Sequence, residues 1–395
     1  MNAQLQKPPS NRDEHWKYAN LRSLARLRAQ AAAEPSREII ERTAAILPAR
    51  LPHTSRVVLI DGFLVDTLSD ALRHDSVPGL MVQTRLSQDR SDIARAADRY
   101  FADLNAEGRG HRLQISLAAD SKARLEILCI ATIDAHPAIA VDLATGAALT
   151  LIERHLPLEI TTTAITNLHW QGRIGPHGSL DLARIGHHGP KSHFIETLEL
   201  TLDEGASAKV VQITEGAASS RATAYVTHAG RDATLDWQTA ALGEATQTHD
   251  TFVHVAHESP GARTHQIFRG IAAGRSRIAF NGHMRVAAAA IGADSAQSLK
   301  GLIAGAEAEV DVRPQLEIYT DAVKASHGAT VGKLDADMLF YLLSRGIDPE
   351  SAESLLKWAF VSDVLARLPC SVLRAQVEAI LERQLPGAAA ARAGA

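Results

Sequence analysis

From about residue 151 to 325 the chain shows no helical periodicity. Short runs at 194–202, 209–213, 222–227 and 234–238 instead alternate apolar and polar residues. Turn chemistry separates them: Asp203-Glu204-Gly205, Glu215-Gly216, Ala229-Gly230-Arg231-Asp232, Ser259-Pro260-Gly261 and Ala273-Gly274-Arg275. A period of two sends successive side chains to opposite faces of a strand. Regular short strands over such a length restrict the fold to a sandwich, a barrel or a stacked β-solenoid. Periodicity does not choose among the three, and the unbroken length of the strand region favours the solenoid.

Helical signals flank this region. Residues 12–50 read as helix, with Leu21, Leu24, Ala25 and Arg28 at three- and four-residue spacing until Glu34-Pro35-Ser36 breaks the run. Ser36 is placed to cap a second helix carrying Ile39, Ile40 and Ala44, which Pro48 ends. Residues 56–150 are mixed: 56–60 is a short apolar strand turned by Asp61-Gly62, and 91–104 is an amphipathic helix before Glu107-Gly108. Helix returns at Asp335, an N-cap for a run through Met338, Leu339, Tyr341 and Leu342 that Gly346 can end in the left-handed conformation. Asp348-Pro349 starts the next helix, which carries Leu355, Leu356, Ala359 and Phe360 and closes at Leu368-Pro369. A third runs through Val372, Val377, Ile380 and Leu381. The expected organisation is an N-terminal helical and mixed α/β region (1–150), a β core (151–330), a small C-terminal helical domain (331–387) and a flexible Ala/Gly/Arg tail (388–395).

Composition removes several function classes. Lys and Arg number 41 against 45 Asp and Glu, and no basic block supplies the phosphate neutralisation that a nucleic-acid binder needs. Cys129 and Cys370 lie far apart without a CxxC partner, so this chain alone builds neither a disulfide scaffold nor a four-cysteine metal site. The first twenty residues contain no apolar run suited to a signal peptide, and the longest apolar stretches fall short of the roughly 20 residues a membrane span requires. The expectation is a protein of the reducing cytoplasm.

Catalytic motifs fail on inspection. Gly328-Ala329-Thr330-Val331-Gly332-Lys333-Leu334 has one residue too few between its glycines for a phosphate loop, and Leu334 lacks the hydroxyl that reaches magnesium, so the chain has no ATP site of its own. There is no GxSxG, HExxH or GxGxxG arrangement. His249, His254, His257 and His265 are close in sequence, but on a strand His254 and His257 point to opposite faces, which makes a single-face metal site awkward. His187-His188 with His193, beside Gly189-Pro190, reads as a turn. One alternative remains open: a stand-alone β-helix enzyme acting on carbohydrate or using a histidine-bound metal.

One segment carries more. Arg313-Pro314-Gln315-Leu316-Glu317-Ile318-Tyr319 leads through DAVKA (321–325) into Ser326-His327-Gly328-Ala329-Thr330-Val331-Gly332, then Phe340-Tyr341-Leu342 and Ser344-Arg345-Gly346. This run closely resembles the SufB/SufD family of iron–sulfur cluster assembly proteins, in which SHGATVG is the SufD-like form. The resemblance extends to FRGIAAGRSRIAFNGHMRV (268–286), HHGPKSHFIETLEL (187–200) and NRDEHWKYANL (11–21). It is strongest over 265–347 and weakest over 70–150.

The resemblance implies a right-handed parallel β-helix core between helical ends, mainly β overall. It also implies a non-catalytic scaffold role in the SufBCD complex, which assembles nascent iron–sulfur clusters and transfers them to apo-proteins. SufB would pair through the β-helices, and the ATPase SufC would dock on the C-terminal helices and hydrolyse ATP. His327 is then the candidate ligand for a transient cluster or iron shared with SufB, and neutral imidazole suits iron. A structural hydrogen bond is the competing role for it. Phe340, Tyr341, Arg345 and Phe360 are candidate SufC contacts, against the alternative that they form only the small domain's core. Three adjacent helical residues span about 200° of circumference, so some face inward and another outward. Ala325 stands where many relatives carry cysteine, which removes a thiolate from this chain's side of the site. Lys300 stands where asparagine is common, and Cys370 reads as a packed thiol. Flavin binding is left undetermined, and a homodimer through the same β-helix edge is possible when SufB is absent.

Overall fold

In-register parallel pairing of the short runs builds a two-sheet solenoid. The computed structural model describes residues 7–30, 32–71, 77–85, 91–108 and 111–385. Its strands begin with β1 (Ser55–Ile60), β2 (Phe63–Leu64), β3 (Leu80–Arg85), β4 (Arg112–Leu117), β5 (Lys122–Ala131), β6 (Ala138–Leu143), β7 (Ala148–Pro157), β8 (Ile165–Ile174) and β9 (Ser179–His188). They continue with β10 (His193–Leu202), β11 (Ser207–Gly216), β12 (Ser219–His228), β13 (Thr234–Gly243), β14 (Thr248–His257) and β15 (Arg263–Ala272). The last four are β16 (Arg277–Val286), β17 (Ala293–Ile303), β18 (Glu309–Ile318) and β19 (Val323–Gly332).

One sheet runs β19-β17-β15-β13-β11-β9-β7-β5-β1-β2, and the other β18-β16-β14-β12-β10-β8-β6-β4-β3. Each turn of the solenoid therefore adds one strand to each sheet. The expected turns close as read, with Gly205 (φ +61°) and Gly274 (φ +63°) in the left-handed region that glycine occupies without strain. Inward-facing residues stack in columns along the axis. Leu125, Leu151, Leu182, Val210 and Trp237 form one such column, each paired with the next in register.

Helices cover the outer faces. They are α1 (Leu21–Leu24), α2 (Arg37–Ile46), α3 (Ala96–Gly108), α4 (Ala336–Ser344), α5 (Pro349–Leu365) and α6 (Ser371–Leu381). Ile39 and Ile40 of α2 pack on Val58, Ile60, Leu128 and Ile130. Phe101 and Leu104 of α3, with Trp16, Leu24 and Leu27, cover Ile165 and Ile195. Trp358, Val361 and Leu365 of α5, with Leu373 and Val377 of α6, cover Ile185, Ile213, Leu242 and Ile271.

Four expectations need correction. The parallel ladder starts with β1 and β5, well before residue 151. β5 and β7 are covered on both faces, with Glu126, Glu153, Arg154 and His155 buried beside apolar neighbours, so polarity does not mark an exposed face there. The region 12–50 is less helical than its spacing suggests, because its first part forms only a 3₁₀ turn at Glu14–Trp16 and the four-residue α1. There Leu21, Leu24 and Leu27 pack on α3 and the sheet, and a short helix gains too little from its own hydrogen bonds to extend further. The helix read over 91–104 begins at Ala96 and runs to Gly108. His187, His188 and His193 lie in β9 and β10, and the turn is confined to the Gly189-Pro190 side.

The caps agree with the sequence reading. Ser36 accepts from the Ile39 amide (3.3 Å), Asp335 from the Asp337 and Met338 amides (2.9 and 3.0 Å) and Asp348 from that of Ser351 (3.0 Å). Gly346 follows α4 at φ +84°. The tail at 388–395 lies outside the described residues.

Candidate functional site

The two ends of the solenoid differ. At the N-terminal end β2 runs antiparallel to β1 and β3 antiparallel to β4, so each sheet is closed by a reversed strand. At the other end β18 and β19 are the last strands of their sheets, with no further strand paired to them among the described residues. Nearly every residue of β19 is exposed, and most of β18 is half-buried. Parallel strand edges with free backbone groups are templates for pairing with another chain.

His327 sits on this open edge, solvent-exposed. Its register partner is Gln297 on β17, which pairs with Gln266 on β15, which pairs with Trp237 on β13. Gln297 and Gln266 face inward and are buried. The Gln297 Nε2 donates to Gln266 Oε1 and to the Gly282 carbonyl, both at 3.0 Å. Ala325 lies in the neighbouring column, in register with Ser295 and then Thr264. A thiol at that position would flank His327 on the same face, so the alanine leaves imidazole as the soft-to-borderline ligand that this edge offers.

The other candidates divide. On α4, Phe340 is 72% exposed and Tyr341 56%, with Met338 beside them at 59%, and the Arg345 guanidinium lies 5.1 Å from the Tyr341 ring centroid. Phe360, on α5, is half-buried against the core. It lines a groove of about 480 Å³ with Met338, Leu356, Lys300 and Lys333. α4 therefore presents an apolar, unpartnered face, while Phe360 serves the groove beneath it. Lys300, the second departure from the family pattern, is thereby placed on the groove wall.

Neither cysteine lies on the open edge: Cys129 is on β5 and Cys370 precedes α6. Burial pushes the Cys129 thiol well above its ordinary range, and the Glu153 carboxylate adds to the effect. Cys370 caps α6, its Sγ accepting from the Leu373 amide at 3.4 Å.

The histidines lie as alternation requires. His249 and His257 face inward and His254 outward. The His257 Nε2 is 2.8 Å from Thr264 Oγ1, and the His254 Nδ1 is 3.3 Å from the His283 Nδ1. Among the described residues no group of three or more His, Cys, Asp or Glu has the geometry to hold a metal ion.

Periodicity missed two features. One is the glutamine column under His327, visible only when residues one solenoid turn apart are aligned. The other is a buried ionic group. Arg184 Nη2 bonds Glu153 Oε1 (2.7 Å) and also Glu196, while His155 Nε2 meets Glu153 Oε1 at 2.7 Å.

The N-terminal HWKY motif is an anchor. Trp16 is buried with its Nε1 donating to Asp98 Oδ1 (2.6 Å) and the Arg221 guanidinium 4.3 Å from its ring centroid, and His15 stacks on Phe252 at 4.1 Å.

Comparison with known proteins decides the family. Residues 130–360, which hold every rung from β6 to β19 together with α4 and most of α5, match the model of the SUF system FeS cluster assembly SufBD core domain. The chain belongs to the SufBD family. It is 29% identical to the iron–sulfur cluster assembly protein SufD of Escherichia coli over 392 residues, covering 96% of this chain and 90% of that protein. A SufBD family protein of Synechocystis is 24% identical over 390 residues, covering 93% and 86%. The SufD of Bacillus subtilis is 30% identical over 150 residues, covering 38% and 34%. A role in iron–sulfur cluster assembly follows for the chain. No helix among the described residues is long and apolar enough to cross a membrane.

Proposed function

We propose that this SufBD family chain is a non-catalytic scaffold subunit of a cytoplasmic SufBCD-type complex. The observation that carries the reading is the asymmetry of the solenoid: one end is closed by reversed strands, and the other is an open pair of edges bearing His327. In this reading SufB continues the two sheets beyond β18 and β19. The imidazole of His327 and ligands from SufB then hold iron or a nascent cluster as cargo at the junction. A site divided between chains forms only on assembly, which ties cluster building to the presence of both partners. SufC docks on the apolar face of α4 and its groove, and supplies the ATP hydrolysis for which this chain has no phosphate loop.

Anaerobic co-expression of the tagged chain with SufB and SufC of its host tests the whole reading. A stable complex carrying sulfide-to-iron absorption, absent from the lone chain, is expected. A lone monomer or homodimer that ignores both partners overturns it. Within that complex His327→Ala is expected to leave folding and association unchanged and to lower reconstituted cluster about tenfold, the scale on which loss of a ligand or its supporting group acts. A wild-type yield removes His327 from the site. Phe340→Asp places a charge on the exposed face of α4. It is expected to weaken SufC association at least about tenfold, as removal of a central aromatic anchor does, without lowering thermal stability. Undiminished SufC binding rules out this face.

A further inference from the structure

We infer that Gln297 is a positioning residue for His327: its Oε1 accepts the imidazole N–H on assembly, fixing the tautomer and leaving the other ring nitrogen for iron. The inference rests on the proposed ligand role of His327.

The geometry runs along the solenoid axis. Gln266, Gln297 and His327 occupy one inward-facing column on β15, β17 and β19, each paired with the next. In an amide ladder the N and O of each side chain point in opposite directions along the stack. The Gln297 Nε2 is committed away from His327, to Gln266 Oε1 on the rung below and to the Gly282 carbonyl. Turning the amide over would set its oxygen against two acceptors, so this orientation is the bonded one. Gln297 Oε1 is left buried and without a partner, and His327 is the residue in register with Gln297 on the next rung. A buried acceptor seeks a donor, and the in-register imidazole is the next group in the column.

Gly282 supports the same arrangement. A Cβ there would stand 2.3 Å from Gln266 Oε1 and 2.8 Å from Gln297 Nε2, so the glycine leaves room for the Gln266–Gln297 amide pair while its carbonyl accepts from Gln297. The backbone of β16 thus holds the amide that holds the imidazole. Histidine ligands of metals commonly donate their second N–H to such an oxygen, which sets the ring's orientation and raises its basicity. The surface position of His327 would otherwise leave both tautomers and several rotamers open.

The test is a double-variant cycle on the complex assembled anaerobically with SufB and SufC, reading ferrous iron retained after desalting. Gln297→Met is expected to lose about tenfold in iron retention. In the His327→Ala background the same change is expected to add nothing, because its effect passes through the imidazole. A purely structural role would instead persist in that background, and such persistence overturns the proposal. Should Gln297→Met fail to assemble, Gln297→Glu decides. Burial holds that carboxyl neutral, so it can donate to Gln266 and keep an oxygen for His327, and iron retention near wild type is expected. Loss of iron from Gln297→Glu in a correctly assembled complex overturns the positioning role. If His327→Ala loses iron while Gln297→Met keeps it, the glutamine ladder fails and the ligand reading stands. If His327→Ala keeps its iron, both fail.

Discussion

Arg184→Met is expected to destabilise the fold by about 3–5 kcal/mol, the range seen when one partner of a buried ion pair is removed. Arg184 is 4% exposed and is the shared cation for Glu153 on β7 and Glu196 on β10, one from each sheet. Burial alone would raise the Glu153 carboxyl, yet Arg184 and His155 hold it down at about 2, so the carboxylate depends on its cation. Gln212 adds a bond to Glu196 at 3.3 Å but carries no charge. With methionine in place of Arg184, Glu196 remains inside the solenoid without a counterion and Glu153 keeps only the His155 imidazole. The urea midpoint should fall with little change in slope. The triple variant Arg184→Met, Glu153→Gln, Glu196→Gln should recover most of the loss, since it removes the uncompensated charges and not merely the pair. A single Arg184→Met variant within about 1 kcal/mol of wild type would show that water reaches these carboxylates.

The same cluster shows where sequence reasoning reached its limit. Short strands and their turns were legible because β10 to β13 alternate polarity and because Gly205 and Gly274 mark positions needing positive φ. Helix caps were legible because Ser36, Asp335 and Asp348 act within three residues of the amides they satisfy. The early start of the ladder was not, since cover by α2 and the C-terminal helices buries residues on both faces of β5 and β7, ion-paired Glu126, Glu153 and Arg154 among them, and polarity there no longer marks a face. Nothing in the sequence singled out Arg184, Glu153 and Glu196, because which face points inward is decided by neighbours a full turn away. His327 was found through its motif, while Gln297 lay one rung below it, at a separation of about thirty residues that only a solenoid makes adjacent.

That interior chemistry also makes stability depend on pH, and the dependence has a definite sign. His228, His249 and His257 are buried, and burial lowers their pKa values to about 3, 4 and 4 from an ordinary 6.5. His228 and His257 share one hydroxyl, Thr264 Oγ1, at 3.0 and 2.8 Å, with their rings 4.6 Å apart, so a proton on either faces its neighbour with no carboxylate in the bonded group. His249 meets Ser220 Oγ at 2.8 Å. The unfolded chain binds these protons first. Stability is therefore at its full value above pH 6.5 and falls as pH drops toward 4, at about 1.4 kcal/mol per pH unit for each histidine. At pH 5 the three together should remove about 6 kcal/mol, which rivals the whole stability of a typical domain. His188 and His254, also lowered by burial, act in the same direction. Glu153 acts in a separate window: its contribution is intact above about pH 4.5 and is lost only as pH falls from there toward 2. Urea unfolding between pH 7.5 and 5 should thus lose stability steeply, and His257→Gln should reduce that slope by about one proton. A flat profile across pH 5–6.5 would mean that the imidazoles are already solvated, and the dry, neutral interior would have to be abandoned.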